Sequence, residues 1–174
     1  MTVDLKTWEQ ANLKQFQHAS EQVQSFFDQQ TKPFDGDMEI IGSRFWSDRC
    51  LLSKDNQDDY GLCAELFFPK ISILRQMNVQ KIMEGIRFFT RCFKELRFYS
   101  HFHGMWLYAL LACLEKPLQN ELCNSLRELS CVCSLLRAKL DPESDSDKFQ
   151  SLHLIICIIG KHFAQHDMTD DFEL

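Results

Sequence analysis

The chain has 174 residues, 45% of them hydrophobic, which is enough for one domain with a sizeable core. Six glycines and four prolines, with 22 leucines against 4 valines, favour helices over sheets and exclude disordered, collagen-like and β-sandwich readings. The net charge of −6 argues against sequence-independent binding to a phosphate backbone, so no direct nucleic-acid contact is expected, and it suits a basic partner.

A first helix is expected from about Trp8 to Asp28. Thr7-Trp-Glu-Gln10 has the form of a capping box. Phe16, Ala19, Val23 and Phe26 then recur on one helical face, opposite Gln10, Lys14, Gln17 and Glu21. Residues 29–60 read as loop-rich: Pro33, Gly36 and Gly42 punctuate them, and Lys54–Asp59 is solvated. Between these lies one short helix over Ser43–Leu52, anchored by Phe45, Trp46 and Leu52. Pro69 opens the next helix as its first residue, carrying Ile71, Ile73, Leu74 and Met77. Asn78 caps another, in which Val79, Ile82, Ile86, Phe89, Phe93 and Leu96 form a stripe. Gly85 inside that helix implies close approach of another backbone.

Ser100 begins a segment whose core, Met105–Leu114, is apolar on nearly every side and belongs at the centre of a bundle. Lys116-Pro117 breaks it. Pro117 starts a helix striped by Leu118, Leu122, Leu126, Leu129, Cys133, Leu136 and Leu140. After the acidic loop Asp141–Asp147, a second capping box, Asp147-Lys-Phe-Gln150, precedes Phe149, Leu152, Ile156, Ile159 and Phe163. Leu154, Ile155 and Ile158 fill its other faces, making it a second central helix. The acidic tail, residues 167–174, is expected to fray. Residues 1–174 therefore read as a single all-α domain, an irregular helical bundle of about six or seven helices with two central apolar ones, and without internal repeats.

The Met105–Leu114 run is far shorter than the ~20 residues of a membrane span. The start, Met1-Thr-Val-Asp-Leu-Lys, lacks the pattern of a signal peptide. With reduced thiols expected, Cys92, Cys113, Cys123, Cys131, Cys133 and Cys157 read as packing residues among apolar neighbours. His162 and His166, four apart, could face one metal ion, but the plainer reading is two helix-end histidines meeting the dipole. Cys131 and Cys133 point to different sides of a helix and cannot pair easily. His101-x-His103 sits at a helix start, where capping or exposure is expected. Cys113 and His103 stand ten residues apart along one helix, too far for a nucleophile and its base. A metal or thiol enzyme is thus the rival reading, with neither cofactor nor metal expected.

More telling is surplus apolar surface. Met83, Phe88 and Cys92 form a second stripe on the Asn78 helix; Phe98, Tyr99 and Phe102 follow it and Phe67-Phe68 precede it. Such an excess suggests a groove for an amphipathic partner helix. On this reading Phe16, Phe26, Phe88, Phe98, Tyr99 and Phe102 line the groove, and Trp106, Tyr108, Leu110 and Leu111 form the core that shapes it.

The stretch Met105-Trp-Leu-Tyr-Ala-Leu-Leu-Ala-Cys-Leu-Glu-Lys-Pro-Leu118 resembles the signature of the SMN-interacting protein family, the second gemin of the survival-of-motor-neuron complex. Trp8–Phe16, Phe68–Met77, Leu152–Cys157 and Phe163–Asp167 resemble the family in the same order. The resemblance implies a non-enzymatic scaffold, in cytoplasm and nucleus, for assembly of spliceosomal small nuclear ribonucleoproteins. It implies two partners: an amphipathic helix near the SMN N-terminus, and Sm proteins, chiefly the D-type pair. The family's extended N-terminal arm, which withholds RNA, has no counterpart in these residues, so that role is not expected of them. The alternative is a generic helical interaction module.

Overall fold

The computed structural model of the chain describes residues 4–29, 42, 44–47, 68–96 and 99–164. Helix α1 spans Leu5–Gln29, starting ahead of the expected Trp8. Thr7 therefore lies inside the first turn, where its hydroxyl donates to Asp4 Oδ2 at 3.3 Å. The capping box fails because the chain is already helical one turn earlier, the Trp8 N–H donating to the Asp4 carbonyl at 3.0 Å. The face that packs is Leu13, Phe16, Ser20, Val23 and Phe27. Phe26 is 38% exposed instead. At about 100° per residue, the eleventh position after Phe16 returns to within about 20° of it, whereas the tenth is about 80° away.

The expected short helix over residues 43–52 appears as a turn of helix at 44–47, and the rest of that segment lies outside the described residues, as does Lys54–Asp59. Phe45 and Trp46 are both buried there. Trp46 meets Phe89 and Trp106 edge-on, with ring centroids 5.6 Å apart in each case. A Cβ at Gly85 would stand 2.6 Å from Trp46 Cζ2, so the close approach at this glycine comes from an indole rather than a backbone.

Helix α2 is the single turn Ile71–Leu74 with Lys70 as its N-cap, leaving Pro69 in the extended lead rather than at the first helical position. Asn78 caps helix α3 (Val79–Leu96) as its residue type dictates, its Oδ1 accepting the Lys81 N–H at 2.9 Å. Ile82, Ile86, Phe89 and Phe93 are buried along α3, while Val79, in its first turn, is 41% exposed. Helix α4 (His101–Ala112) is capped by Ser100, whose backbone N–H donates to His103 Nδ1 at 3.0 Å. The Lys116–Pro117 peptide is cis, and helix α5 (Asn120–Arg137) begins only after Gln119, not at Pro117. Its Leu122, Leu126, Leu129, Cys133 and Leu136 are buried, with Leu118 and Leu140 packed at either end.

Helix α6 (Ser146–Cys157) takes Asp145 as N-cap, which places Asp147 in the first turn rather than at the boundary. It continues into a π turn, Ile158–His162, in which the Phe163 N–H reaches back to the Ile158 carbonyl at 3.2 Å. Ala164, at φ 57°, ends the helix. Helices α4 and α6 form the centre: α6 touches α5, α4 and α1, while α4 touches α1, α3 and α6. Trp106, Leu107, Leu110 and Leu111 of α4 and Leu152, Ile155, Ile158 and Ile159 of the α6 run are at most 1% exposed. Each such side chain contributes roughly 1.5–3 kcal/mol of burial. The described residues hold no strand, and no helix among them is long and apolar enough to cross a membrane.

Candidate functional site

Along the outer side of α4, His101, Met105, Tyr108 and Ala109 line a groove of about 330 Å³, closed by Pro69 on one flank and Ser151 of α6 on the other. Their spacing puts them on one helical stripe. Below them, the Tyr99 hydroxyl and Ser151 Oγ share a hydrogen bond at 2.5 Å. That bond occupies the space a Cβ at Gly104 would need, since such an atom would lie 2.4 Å from both oxygens. Glycine at this position thus lets α4 close on α6 and sets the groove's floor. Burial pushes the Tyr108 and Tyr99 phenols above their ordinary range, so both stay neutral.

Among the described residues, Phe16, Phe26, Phe88, Tyr99 and Phe102, singled out from sequence as groove-lining, do not line this groove. Phe16 is fully buried, with its ring edge-on to Tyr108 and His162, and Tyr99 is buried against Phe93. Both are core residues: Phe16 lies where α1 packs on α4 and the π turn, and Tyr99, in the link before α4, is held by Phe93 and by Ser151 of α6. Phe26 is exposed near the end of α1, and Phe88 is half-buried on α3 beneath the Arg91 guanidinium. Phe102, at the start of α4, packs against Phe68 with the rings tilted and their centroids 5.7 Å apart. Phe98 and Phe67 lie outside the described residues. Met83 and Cys92, read as part of a second face, are core. Trp106, Leu110 and Leu111 are buried as expected, while Tyr108 is half-exposed and forms part of the groove itself. Met105 and Ala109 were missed because the helix is apolar all round, so its one outward stripe has no contrasting polar face.

A second constellation joins α1 to α6. Glu9 Oε1 accepts a hydrogen bond from His153 Nε2 at 2.9 Å, and Glu9 Oε2 accepts one from the Lys161 ammonium. Cys157 Sγ lies 3.7 Å from His153 Nε2. Three potential ligand atoms here, from Glu9, His153 and Cys157, lie within 4.8 Å of one another. Their chemistry does not suit a metal. Arg137 can only donate, and its contact with His153 Nδ1 makes that nitrogen the acceptor and puts the proton on Nε2. A ligating imidazole would need the opposite tautomer. The Cys157 thiol is pushed up to about 12 by burial and by Glu9, far from the thiolate a metal requires. The cluster is instead a polar tether between helices.

Burial likewise raises the Cys113 and Cys133 thiols to about 12, which removes them as nucleophiles. Cys131 is exposed and Cys133 buried, on different sides of α5, as their spacing requires. His103 serves as the helix cap described above. His162 belongs to the π turn, and His166, with which it could have faced a metal ion, lies outside the described residues.

A family profile described as Survival motor neuron (SMN) interacting protein 1 (SIP1) matches residues 3–166. Gem-associated protein 2 of Xenopus laevis is 35% identical over 132 residues, covering 75% of this chain and 50% of that protein. The Mus musculus protein of the same name is 37% identical over 105 residues, 60% of this chain and 38% of its own length. The chain therefore spans half or less of the curated relatives it matches. A chain from the solved structure "The 8S snRNP Assembly Intermediate" superposes with a TM-score of 0.73 at 21% identity, over 95% of this chain and 74% of that one, which shows a shared fold. Because the profile runs without a break from α1 through the π turn, the chain belongs to the SIP1 family.

Proposed function

We propose that this chain is a non-enzymatic adaptor in the assembly of spliceosomal small nuclear ribonucleoproteins, working in cytoplasm and nucleus. It takes up the amphipathic N-terminal helix of SMN and, on a separate surface, Sm proteins, chiefly the D-type pair. Neither nucleic acid, membrane nor cofactor is part of this role. The observation that carries the reading is the family match across residues 3–166. The groove on α4 supports it, because a stripe of Met105, Tyr108 and Ala109 offers apolar contact to an amphipathic helix at regular spacing. The buried, strongly protonated thiols support a non-catalytic role.

Titration of the chain with a peptide of the SMN N-terminal helix tests this. Saturable binding is expected, and no binding at about tens of micromolar overturns the reading. Placing a charge on the stripe, Ala109→Glu, is expected to weaken binding at least about tenfold while circular dichroism shows the helices intact. Retention of full affinity in a folded Ala109→Glu chain would move the SMN site elsewhere. If neither the SMN peptide nor Sm proteins bind, the chain is a helical module with a different partner.

A further inference from the structure

Lys14 of α1, Lys116 of the α4–α5 corner, and Lys161 and His162 of the π turn line one cleft of about 420 Å³. The rest of its lining, Leu13 and two glutamines, is uncharged. This concentration of positive groups occurs in a chain of net charge −6. Glu9 binds Lys161 and offsets part of that charge. Lys116 lies over the Phe163 ring, 5.7 Å from its centroid. An adjoining cleft of about 620 Å³ shares Gln17, Lys116 and His162 but carries Glu21, Asp28 and Glu115. The surface beside α1 is therefore basic toward the helix N-terminus and acidic toward its C-terminus.

We infer that the basic cleft binds a single phosphoryl group, carried on a phosphoserine or phosphothreonine whose neighbouring basic residues face Glu21, Asp28 and Glu115. The inference does not depend on the SMN reading. No arginine lines the cleft, so recognition there rests on point charges rather than on a bidentate guanidinium fork. Lysines placed around a hollow act as point charges and suit a tetrahedral group carrying about −1.5 to −2. The acidic neighbour decides between one phosphate and many. A nucleic-acid backbone would have to run its next phosphates past Glu21, Asp28 and Glu115, where they are repelled.

His162 gives the site a reporter. Its imidazole packs edge-on against Phe16, and its charged form is disfavoured by burial and by Lys116, with Glu21 opposing. Lys14 and Lys161 face the same hollow. A bound dianion reverses the balance and favours the imidazolium. By linkage, protonation of His162 and binding of the dianion favour each other, while protonation of the phosphate itself, at about pH 6, works against binding at lower pH.

The test is an NMR titration of the full chain that follows the His162 ring protons. The probes are a nine-residue peptide with one phosphoserine flanked on one side by arginines, its unphosphorylated twin, inorganic phosphate, and a ten-nucleotide oligouridylate. The phosphopeptide is expected to bind at least about tenfold more tightly than its twin and than free phosphate, and to raise the His162 pKa. The double variant Lys14→Ala/Lys116→Ala, with both positions exposed, is expected to cost at least about tenfold while leaving thermal unfolding unchanged. Equal affinity for the two peptides, tighter binding of the oligouridylate, or indifference to the double variant overturns the proposal. A competing occupant is the chain's own acidic stretch. If the full chain carrying Asp167→Asn, Asp170→Asn, Asp171→Asn and Glu173→Gln shifts the His162 pKa with nothing added, the cleft belongs to that stretch and the proposal fails.

Discussion

Helices α1 and α4 touch each other, yet opposite means hold them in place. Helix α4 is wrapped by apolar neighbours, and its position follows from filling space around Trp106, Leu107, Leu110 and Leu111. Helix α1 inserts one large side chain, Phe16, and fixes its register through polar contacts. Ser20 Oγ donates to the Ala112 carbonyl at 3.0 Å and Gln24 Nε2 reaches the same oxygen at 3.4 Å. That carbonyl belongs to the last turn of α4, where the helix itself offers no partner. Glu9 holds the other end through His153 and Lys161. A central helix can be specified by shape alone, whereas a peripheral one with a narrow apolar face needs directional bonds to settle its phase.

If this contrast is right, damage to α1 should release α1 before the centre opens. Phe16→Ala is expected to cost roughly 3–5 kcal/mol, with α1 amides losing hydrogen-exchange protection well ahead of α4 amides. Simultaneous loss in both helices would erase the distinction. Glu9→Gln is expected to cost about 1–3 kcal/mol at neutral pH by urea unfolding, because it weakens a largely buried tether. Burial works to raise the Glu9 pKa, but hydrogen bonds from Lys161 and His153, with the Lys161 charge, outweigh it and hold the carboxyl below the ordinary glutamate range. A depressed folded pKa means stability that is complete above the unfolded value of about 4.3 and lost as pH falls through the lower folded one. The unsubstituted chain should therefore lose more stability than Glu9→Gln on acidification through that window, and parallel curves would refute the tether. At the small end, Lys94→Ala removes an ion pair with Glu128 on the α3–α5 seam. Both side chains are about half exposed, and the expected change is below about 0.5 kcal/mol.

Periodicity carried the architecture, and it failed where two positions compete for one face. The Leu122–Leu136 stripe and the two all-apolar helices could be read directly because leucine and isoleucine have no comfortable alternative to burial. Phe26 and Phe27 are adjacent and equally apolar, so only the accumulated phase of a long helix separates them. The groove on α4 was hidden for a related reason: Met105, Tyr108 and Ala109 differ from their buried neighbours in nothing but direction. The Glu9 tether joins residues more than a hundred positions apart, and no local pattern announces such a pairing. Boundaries slipped at Thr7, Pro69, Pro117 and Asp147 because a residue able to cap or open a helix does so only where tertiary packing starts one.

The π turn at Ile158–His162 has a geometric consequence for everything downstream of it. Its hydrogen bond closes over one more residue than a regular helical turn, so the turn holds one residue beyond the usual pitch. That extra residue sets the angular phase of the chain's exit by about 100°. Phe163 thereby arrives against Phe16, and His162 arrives at the mouth of the basic cleft rather than inside the core. The turn works as a length gauge: shortening it by a single residue would restore an ordinary helix and rotate both rings away from α1.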